Sequence, residues 1–187
     1  VSVMLIGVPK EIKNHEYRVG LVPASVRELI GNGHKVIVET KAGGGIGFSD
    51  ADYKAAGARI IGTAKDVFKK ADMIVKVKEP QAGECKMLRE GQILYTYLHL
   101  APDPAQTKAL VKSGCVAIAY ETVTSPHGGL PLLARCHRLL VVCPCRLLHI
   151  AWKKPRAEAA FFSAAFLVLS PAKSLFLAVV LLAQTQP

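Results

Sequence analysis

The sequence has 187 residues, of which 51% are hydrophobic and 20% are charged, which is the composition of a globular protein with room for one packed core. The apolar run at the N-terminus is only about six residues long, too short for the core of a secretory signal peptide. The five cysteines show no disulfide spacing, which excludes a disulfide scaffold and predicts a reducing, cytoplasmic location.

The positive charge is unevenly distributed along the chain. Residues 1–134 contain 17 basic and 13 acidic residues, whereas residues 135–187 contain seven basic residues and one acidic residue, Glu158. Most of the formal net charge of +10 therefore belongs to the C-terminal segment. We expect no nucleic-acid partner.

Short apolar runs alternate with helical segments through residues 1–134. The predicted strands are "VMLIGV", "KVIVET", "RIIG", "DMIVKV", "QILYTYL" and "CVAIAYE", and the predicted helices are "PASVRELIGNGH", "SDADYKAAG", "TAKDVFKKA", "ECKMLREG" and "PAQTKALVKSG". Ser25 and Glu28 have the spacing of a capping box in the first helix, and Ser49 is expected to cap the second. Buried strands that alternate with helices of about ten residues predict an α/β fold with a doubly wound, mostly parallel sheet.

Polar residues follow several of these strands. They are Lys10, Lys13, His15, Glu16 and Arg18 after the first strand, Lys76, Lys78 and Glu79 after the fourth, His99 after the fifth, and Glu121 and Thr122 after the sixth. Ligands of doubly wound sheets bind beyond the carboxyl ends of the strands. These residues therefore predict a site for a small anion beside an acid/base group.

Simpler interpretations of the same residues remain open. Lys76 and Lys78 alternate as solvated residues at a strand end would. His99 lies between two leucines and could be a hydrogen-bonded core histidine. Arg18 could simply pair with Glu16 or Glu79.

The glycine-rich run "KAGGGIGFSDADY" invites a nucleotide-binding interpretation. Counted from Gly43, the G-x-G-x-x-G pattern fails because Phe48 occupies the position of the third glycine. We predict instead that Gly43 to Gly47 form a tight loop leading into the helix capped by Ser49.

Five segments carry a family resemblance: "GVPKEIKNHEYRVGLVP", "GHKVIVETKAGGGIGFSDADYKAAGA", "ADMIVKVKEP", "GQILYTYLHLA" and "AIAYETV" with the following "GGLPLLA". In this order they resemble the N-terminal part of alanine dehydrogenases and, more distantly, the NAD-binding subunit of proton-translocating transhydrogenases. The resemblance covers residues 3–134. It implies that residues 1–134 are the substrate domain and that a separate NAD-binding domain follows in the family.

The resemblance also implies a reaction and residue roles. Alanine dehydrogenases oxidise L-alanine to pyruvate and ammonia with NAD as cofactor. The family's substrate-carboxylate arginine matches Arg18, its substrate-binding lysine matches Lys78, and its catalytic histidine matches His99. Family members are commonly homo-hexamers. The alternatives are a transhydrogenase subunit and a non-catalytic α/β module that binds a carboxylate.

The segment from residue 135 onward departs from the family pattern. One set of allowed codons for "RCHRLLVV", read with one base restored in front, encodes PMSQVAGR, which resembles the family's continuation. The same shift converts "SLFLAVVLLAQTQP" into VVILGGGVVGTNAA, a strand followed by a dinucleotide-binding glycine pattern. We hypothesise that residues 135–187 are a frame-shifted remnant of the linker and NAD-binding domain, so that this chain has no cofactor-binding residues and is inactive.

Two other interpretations of the C-terminal segment are weaker. An apolar stretch at residues 157–184 is divided by Pro171 and Lys173 into pieces shorter than the roughly 20 residues that span a membrane, so we expect no membrane anchor. Cys143 and Cys145 lack a second paired motif, so we expect no metal site.

Overall fold

The computed structural model of the protein describes residues 3–126 and 128–133. Its contacts divide the chain into one unit that ends at Ala119 and a second that begins at Tyr120. The first unit contains a six-stranded sheet. The second contains, among its described residues, the 3-10 helix Tyr120–Thr122. Our hypothesis for residues 135–187 concerns a segment that lies outside the described residues.

The sheet is parallel throughout and confirms the predicted α/β fold. Its strands are β1 (Leu5–Val8), β2 (Lys35–Glu39), β3 (Arg59–Ile61), β4 (Met73–Val75), β5 (Ile93–Thr96) and β6 (Val116–Ala119). They lie in the order β3-β2-β1-β4-β5-β6. The chain therefore builds outward from β1 in one direction and then, from β4, in the other. The switch point between β1 and β4 is where such sheets open a crevice for ligands.

One α-helix lies between each pair of consecutive strands. The connection from β1 to β2 also contains a long loop, residues 9–22, before its helix. The helices are α1 (Pro23–Gly31), α2 (Asp50–Ala55), α3 (Ala64–Lys70), α4 (Ala82–Cys85) and α5 (Pro104–Ser113). Ser49 caps α2 as predicted, through a capping box with Asp52. α1 ends at Gly31, with Asn32 as its C-cap, so the last three residues of the predicted segment PASVRELIGNGH lie outside the helix.

Two details of the helix prediction are wrong. The Ser25–Glu28 capping box does not form, because α1 begins earlier: Pro23 occupies the first turn, Val22 is the N-cap, and Ser25 is buried inside the helix. The fourth helix was predicted over residues 84–91 but spans Ala82–Cys85. Glu84 accepts a hydrogen bond from the Gln81 backbone N–H, which fixes the start of α4 upstream of the predicted position.

The core lies between the sheet and its helices. One cluster of buried apolar residues joins Phe68 of α3, Leu110 of α5 and the strand residues Ile74 and Leu94. Gly7 in β1 allows α3 to approach closely, since a Cβ at this position would stand 2.7 Å from the Cβ of Ala71. The sheet is less covered at its β6 edge, where Val116 remains 51% exposed.

Candidate functional site

The three predicted site residues follow three neighbouring strands. Arg18 lies in the loop after β1, Lys78 follows β4, and His99 follows β5. Because β1, β4 and β5 are adjacent and parallel, their carboxyl ends meet at one edge of the sheet. This edge includes the switch point between β1 and β4, so the residues follow strands that border the expected ligand crevice.

Arg18 is held by a carboxylate of its own loop. Glu16 Oε1 accepts a hydrogen bond from Arg18 Nε at 2.8 Å, and Glu16 Oε2 accepts one from Nη2 at 2.6 Å. Burial alone would raise the pKa of Glu16, but the hydrogen bonds and charge of Arg18 and the nearby charge of Lys78 outweigh it and lower the pKa. The open alternative that Arg18 pairs with Glu16 is thus confirmed, and this pairing also fixes the plane of the guanidinium.

Lys78 and His99 are linked by an aromatic ring. The Lys78 ammonium nitrogen lies over Tyr97, 5.0 Å from the ring centroid. The ring centroids of Tyr97 and His99 are 5.7 Å apart. Tyr97 was not singled out from the sequence, although it lies only two residues before His99.

His99 has an unusual backbone conformation at the end of its strand. Its φ of 46° lies in the left-handed region, which costs a non-glycine residue energy. Its side chain is exposed, so the alternative of a core histidine is wrong. This strained position lies in the segment that follows β5, which ends at Thr96.

The loop that carries Arg18 is seated by two close backbone approaches. A Cβ on Gly20 would stand 2.5 Å from the Val75 carbonyl oxygen, and a Cβ on Gly45 would stand 2.5 Å from the Tyr17 carbonyl oxygen. The Tyr53 hydroxyl adds a hydrogen bond of 2.9 Å to the carbonyl of Leu21.

The glycine-rich run therefore supports this loop. Gly44–Ile46 form a 3-10 helix directly before the Ser49 cap, which confirms the predicted tight loop. Gly43 packs against the ring of Tyr53 and Gly45 against the backbone of Tyr17, so packing within the chain accounts for two of these glycines. The run does not complete the G-x-G-x-x-G pattern that holds a dinucleotide.

The other polar residues at the strand ends separate into different groups. Lys76 is only 2% exposed, so the alternative of a solvated side chain is wrong for this residue. Lys13 forms an ion pair with Glu79. Glu121 and Thr122 belong to the second unit, in its 3-10 helix.

Within residues 3–126 and 128–133 no group of three or more histidine, cysteine, aspartate or glutamate side chains could hold a metal ion. No helix in these residues is long and apolar enough to cross a membrane.

Comparison with known proteins shows the family. The family model described as "Alanine dehydrogenase/PNT, N-terminal domain" matches residues 7–139. The chain belongs to this family. The resemblance found in the motifs is therefore confirmed.

Individual relatives agree with this membership. The chain is 60% identical over 131 residues to the alanine dehydrogenase of Halomonas elongata, a match that covers 70% of this chain and 35% of the relative. It is 54% identical over 131 residues to the alanine dehydrogenase of Mycobacterium tuberculosis (strain CDC 1551 / Oshkosh), with the same two shares covered. The chain thus spans about a third of the length of these curated relatives.

Two solved structures are similar to the fold. An L-alanine dehydrogenase structure shares 49% sequence identity with a TM-score of 0.71, over 80% of this chain and 42% of that one. A transhydrogenase from Sinorhizobium meliloti shares 34% identity with a TM-score of 0.59, over 63% of this chain and 33% of that one.

Proposed function

We propose that residues 1–134 are the substrate domain of an NAD-dependent alanine dehydrogenase, which converts L-alanine to pyruvate and ammonia. The observation that carries this proposal is the arrangement of a guanidinium, an ammonium and an imidazole after three adjacent parallel strands in a chain of this family. On the family resemblance alone, we expect the whole enzyme to be a cytoplasmic homo-oligomer.

Arg18 would bind the substrate carboxylate. A guanidinium is planar, is always charged and presents its donors in a fixed geometry that suits a carboxylate. Glu16 holds two of its nitrogen atoms, Nε and Nη2, and so fixes the direction in which the group faces. A fixed carboxylate in turn fixes the substrate Cα, which is the reacting carbon.

Lys78 and His99 would act on the other end of the substrate. The Lys78 ammonium would donate a hydrogen bond to the carbonyl oxygen of pyruvate and stabilise the negative charge that develops there. The His99 imidazole would take a proton from the substrate amine or from the attacking water. Tyr97 lies between these two groups and would fix their separation.

NAD would accept the hydride in this reaction, and no G-x-G-x-x-G pattern occurs among the described residues. The glycine-rich run is packed against Tyr17 and Tyr53, and the loop after β1 has no glycine pattern. We therefore assign no residue of this chain to the hydride step. We propose that residues 135–187 are the frame-shifted remnant of the linker and cofactor domain, and that this chain alone is inactive.

Two experiments test the function. Sequencing the gene across the codons for Ala134 and Arg135 tests the frame shift, and an intact frame contradicts it.

Restoring the frame should yield a protein that reduces NAD in an alanine-dependent assay. In that protein, Arg18→Lys should lower kcat/KM roughly 10- to 100-fold because the fork is lost. The control is Arg27→Lys on the exposed face of α1, which should change little. Absence of alanine-dependent activity would refute the proposal.

The structural similarity to a transhydrogenase favours one alternative function. A transhydrogenase would pass hydride between two nicotinamide nucleotides and would not require alanine. The frame-restored protein should then reduce a nicotinamide analogue from NADH without alanine.

A non-catalytic carboxylate-binding module would bind pyruvate with an affinity that NAD does not change, whereas an enzyme site should show coupling between the two ligands.

A further inference from the structure

Three charged side chains form a buried cluster next to the proposed site. Lys76, Glu11 and Glu84 are 2%, 7% and 2% exposed. The Lys76 ammonium nitrogen lies 2.6 Å from Glu84 Oε1 and 3.2 Å from Glu11 Oε2. Burying charges is costly even when they are paired, and replacing such a cluster by apolar residues is often neutral or stabilising. Stability alone is therefore a weak explanation for it.

The two carboxylates also bind the backbone on either side of Lys78. Glu11 Oε1 accepts a hydrogen bond of 2.7 Å from the Val77 backbone N–H. Glu84 Oε2 accepts one of 2.8 Å from the Gln81 backbone N–H. Between these points, the Thr96 hydroxyl donates a hydrogen bond of 2.7 Å to the Lys78 carbonyl. The segment that carries Lys78 is thus fixed at three successive places.

Glu11 also belongs to the loop that carries Arg18. This loop contacts the Lys78 segment in two further places: through the ion pair of Lys13 with Glu79, and through the close approach of Gly20 to the Val75 carbonyl. Glu11 is the buried charged residue among these contacts. Its carboxylate is therefore one of three links between the elements that present the guanidinium and the ammonium.

We propose that Glu11 is a positioning residue, which fixes the backbone at Val77 and thereby aims the Lys78 ammonium at the carbonyl group of the ligand. This inference rests on the proposed function, because it assumes that Lys78 contacts that carbonyl. It makes a distinction that a general stabilising role does not make. Loss of Glu11 should affect the contact of Lys78 with a keto group and leave the contact of Arg18 with a carboxylate intact.

Binding of pyruvate and propionate to the full 187-residue chain tests this distinction. Both ligands have a carboxylate, and pyruvate alone has the keto group. In the wild type, pyruvate should bind more tightly. Glu11→Ala should lower the ratio of pyruvate to propionate affinity by about tenfold, the value of one hydrogen bond to a charged group, with propionate affinity unchanged. Lys78→Ala gives the ratio expected when the contact is absent. Glu11→Gln keeps an oxygen for the Val77 N–H and should keep most of the ratio.

Backbone hydrogen exchange, measured without ligand, gives a second and independent readout. Glu11→Ala should accelerate exchange at residues 76–81 and leave α5 unchanged, whereas Glu11→Gln should resemble the wild type. Three results would each overturn the inference. Glu11→Ala could lower the affinity for both ligands equally, or leave exchange at Val77 unchanged. Glu11→Gln could lower the pyruvate-to-propionate ratio as much as Lys78→Ala does. If the wild type binds neither ligand, the proposed function fails. The exchange experiment on Glu11→Ala then tests the positioning role by itself. Faster exchange confined to residues 76–81 supports the role, and faster exchange throughout the protein, or none, refutes it.

Discussion

The carboxylate of Glu16 binds the guanidinium of Arg18 through both of its oxygens, at 2.8 Å to Nε and 2.6 Å to Nη2. The Glu16 side chain is 7% exposed and that of Arg18 is 24% exposed. Because solvent screens such a pair only partly, the pair should contribute more to the stability of the fold than a fully exposed ion pair does. It also restrains the orientation of the Arg18 guanidinium, the group proposed to bind the substrate carboxylate.

Glu16→Gln should therefore reduce the free energy of unfolding near neutral pH by about 1.5–3 kcal/mol, the range for a hydrogen bond to a charged group. Since Arg18 lowers the pKa of Glu16 below its ordinary value of 4.5, the contribution is complete above that value and is lost as the pH falls through the lowered pKa. Urea unfolding of both proteins over a pH series measures the difference. Glu28→Gln, at an exposed position of α1, is the control. A difference that does not shrink in acid would contradict the assignment.

Glu11 should show the opposite dependence on pH. Its pKa is raised from the ordinary value of 4.5, chiefly because burial disfavours the charged form, and Lys76 offsets this only in part. A raised pKa means that the folded state binds the proton more tightly, so stability is lost as the pH rises from 4.5 through the raised pKa. The wild type should thus lose stability relative to Glu11→Gln as the pH rises over this range. Unfolding curves for both proteins in matched buffers test the sign, and a wild type that gains stability instead refutes it.

The strand order explains why the sequence could indicate which residues lie at one edge of the sheet. Short apolar runs with helices between them identify a parallel sheet, and any parallel sheet brings its strand ends to one edge. Arg18, Lys78 and His99 could therefore be chosen by their position after three strands. Their roles came from the family resemblance, because strand-end position alone did not distinguish Lys78 from Lys76.

The buried cluster was missed for a physical reason. Lys76 contacts Glu11, which comes from the distant loop after β1, and Glu84, which comes from the next helix, α4. No sequence pattern connects a lysine at a strand end with these two partners. An alternating lysine at a strand end is usually solvated. The contact of Gly45 with Tyr17 was missed likewise, since spacing reveals a tight turn but does not reveal which distant backbone lies against it.

The glycine-rich run offers a matched pair of substitutions. A Cβ on Gly45 would stand 2.5 Å from the Tyr17 carbonyl oxygen, whereas a Cβ on Gly44 would have no atom within 4 Å. Gly45→Ala should cost about 1–3 kcal/mol, because backbone must move, and should weaken pyruvate binding by displacing the neighbouring Arg18. Gly44→Ala should change stability by no more than about 0.5 kcal/mol. Thermal unfolding and pyruvate titration compare the two. Equal effects would show that the run does not seat the Arg18 loop.

At position 99, replacement by glycine should give a more stable protein than replacement by alanine, which is the reverse of the usual order. With a φ of 46°, the position strains any residue with a Cβ, by about 1–2 kcal/mol in the left-handed region. Glycine avoids this strain but loses more backbone entropy on folding, by up to about 1 kcal/mol. His99→Gly should therefore be more stable than His99→Ala by roughly 0.5–1 kcal/mol, the difference between these terms. At the exposed Lys108 of α5, Lys108→Ala should be more stable than Lys108→Gly by about 1 kcal/mol. Because both His99 variants lack the imidazole, their comparison isolates the backbone strain from every contact of the side chain. If alanine is more stabilising than glycine at both positions, the backbone at His99 stores no strain. The direction of the His99 side chain would then be set by its own contacts.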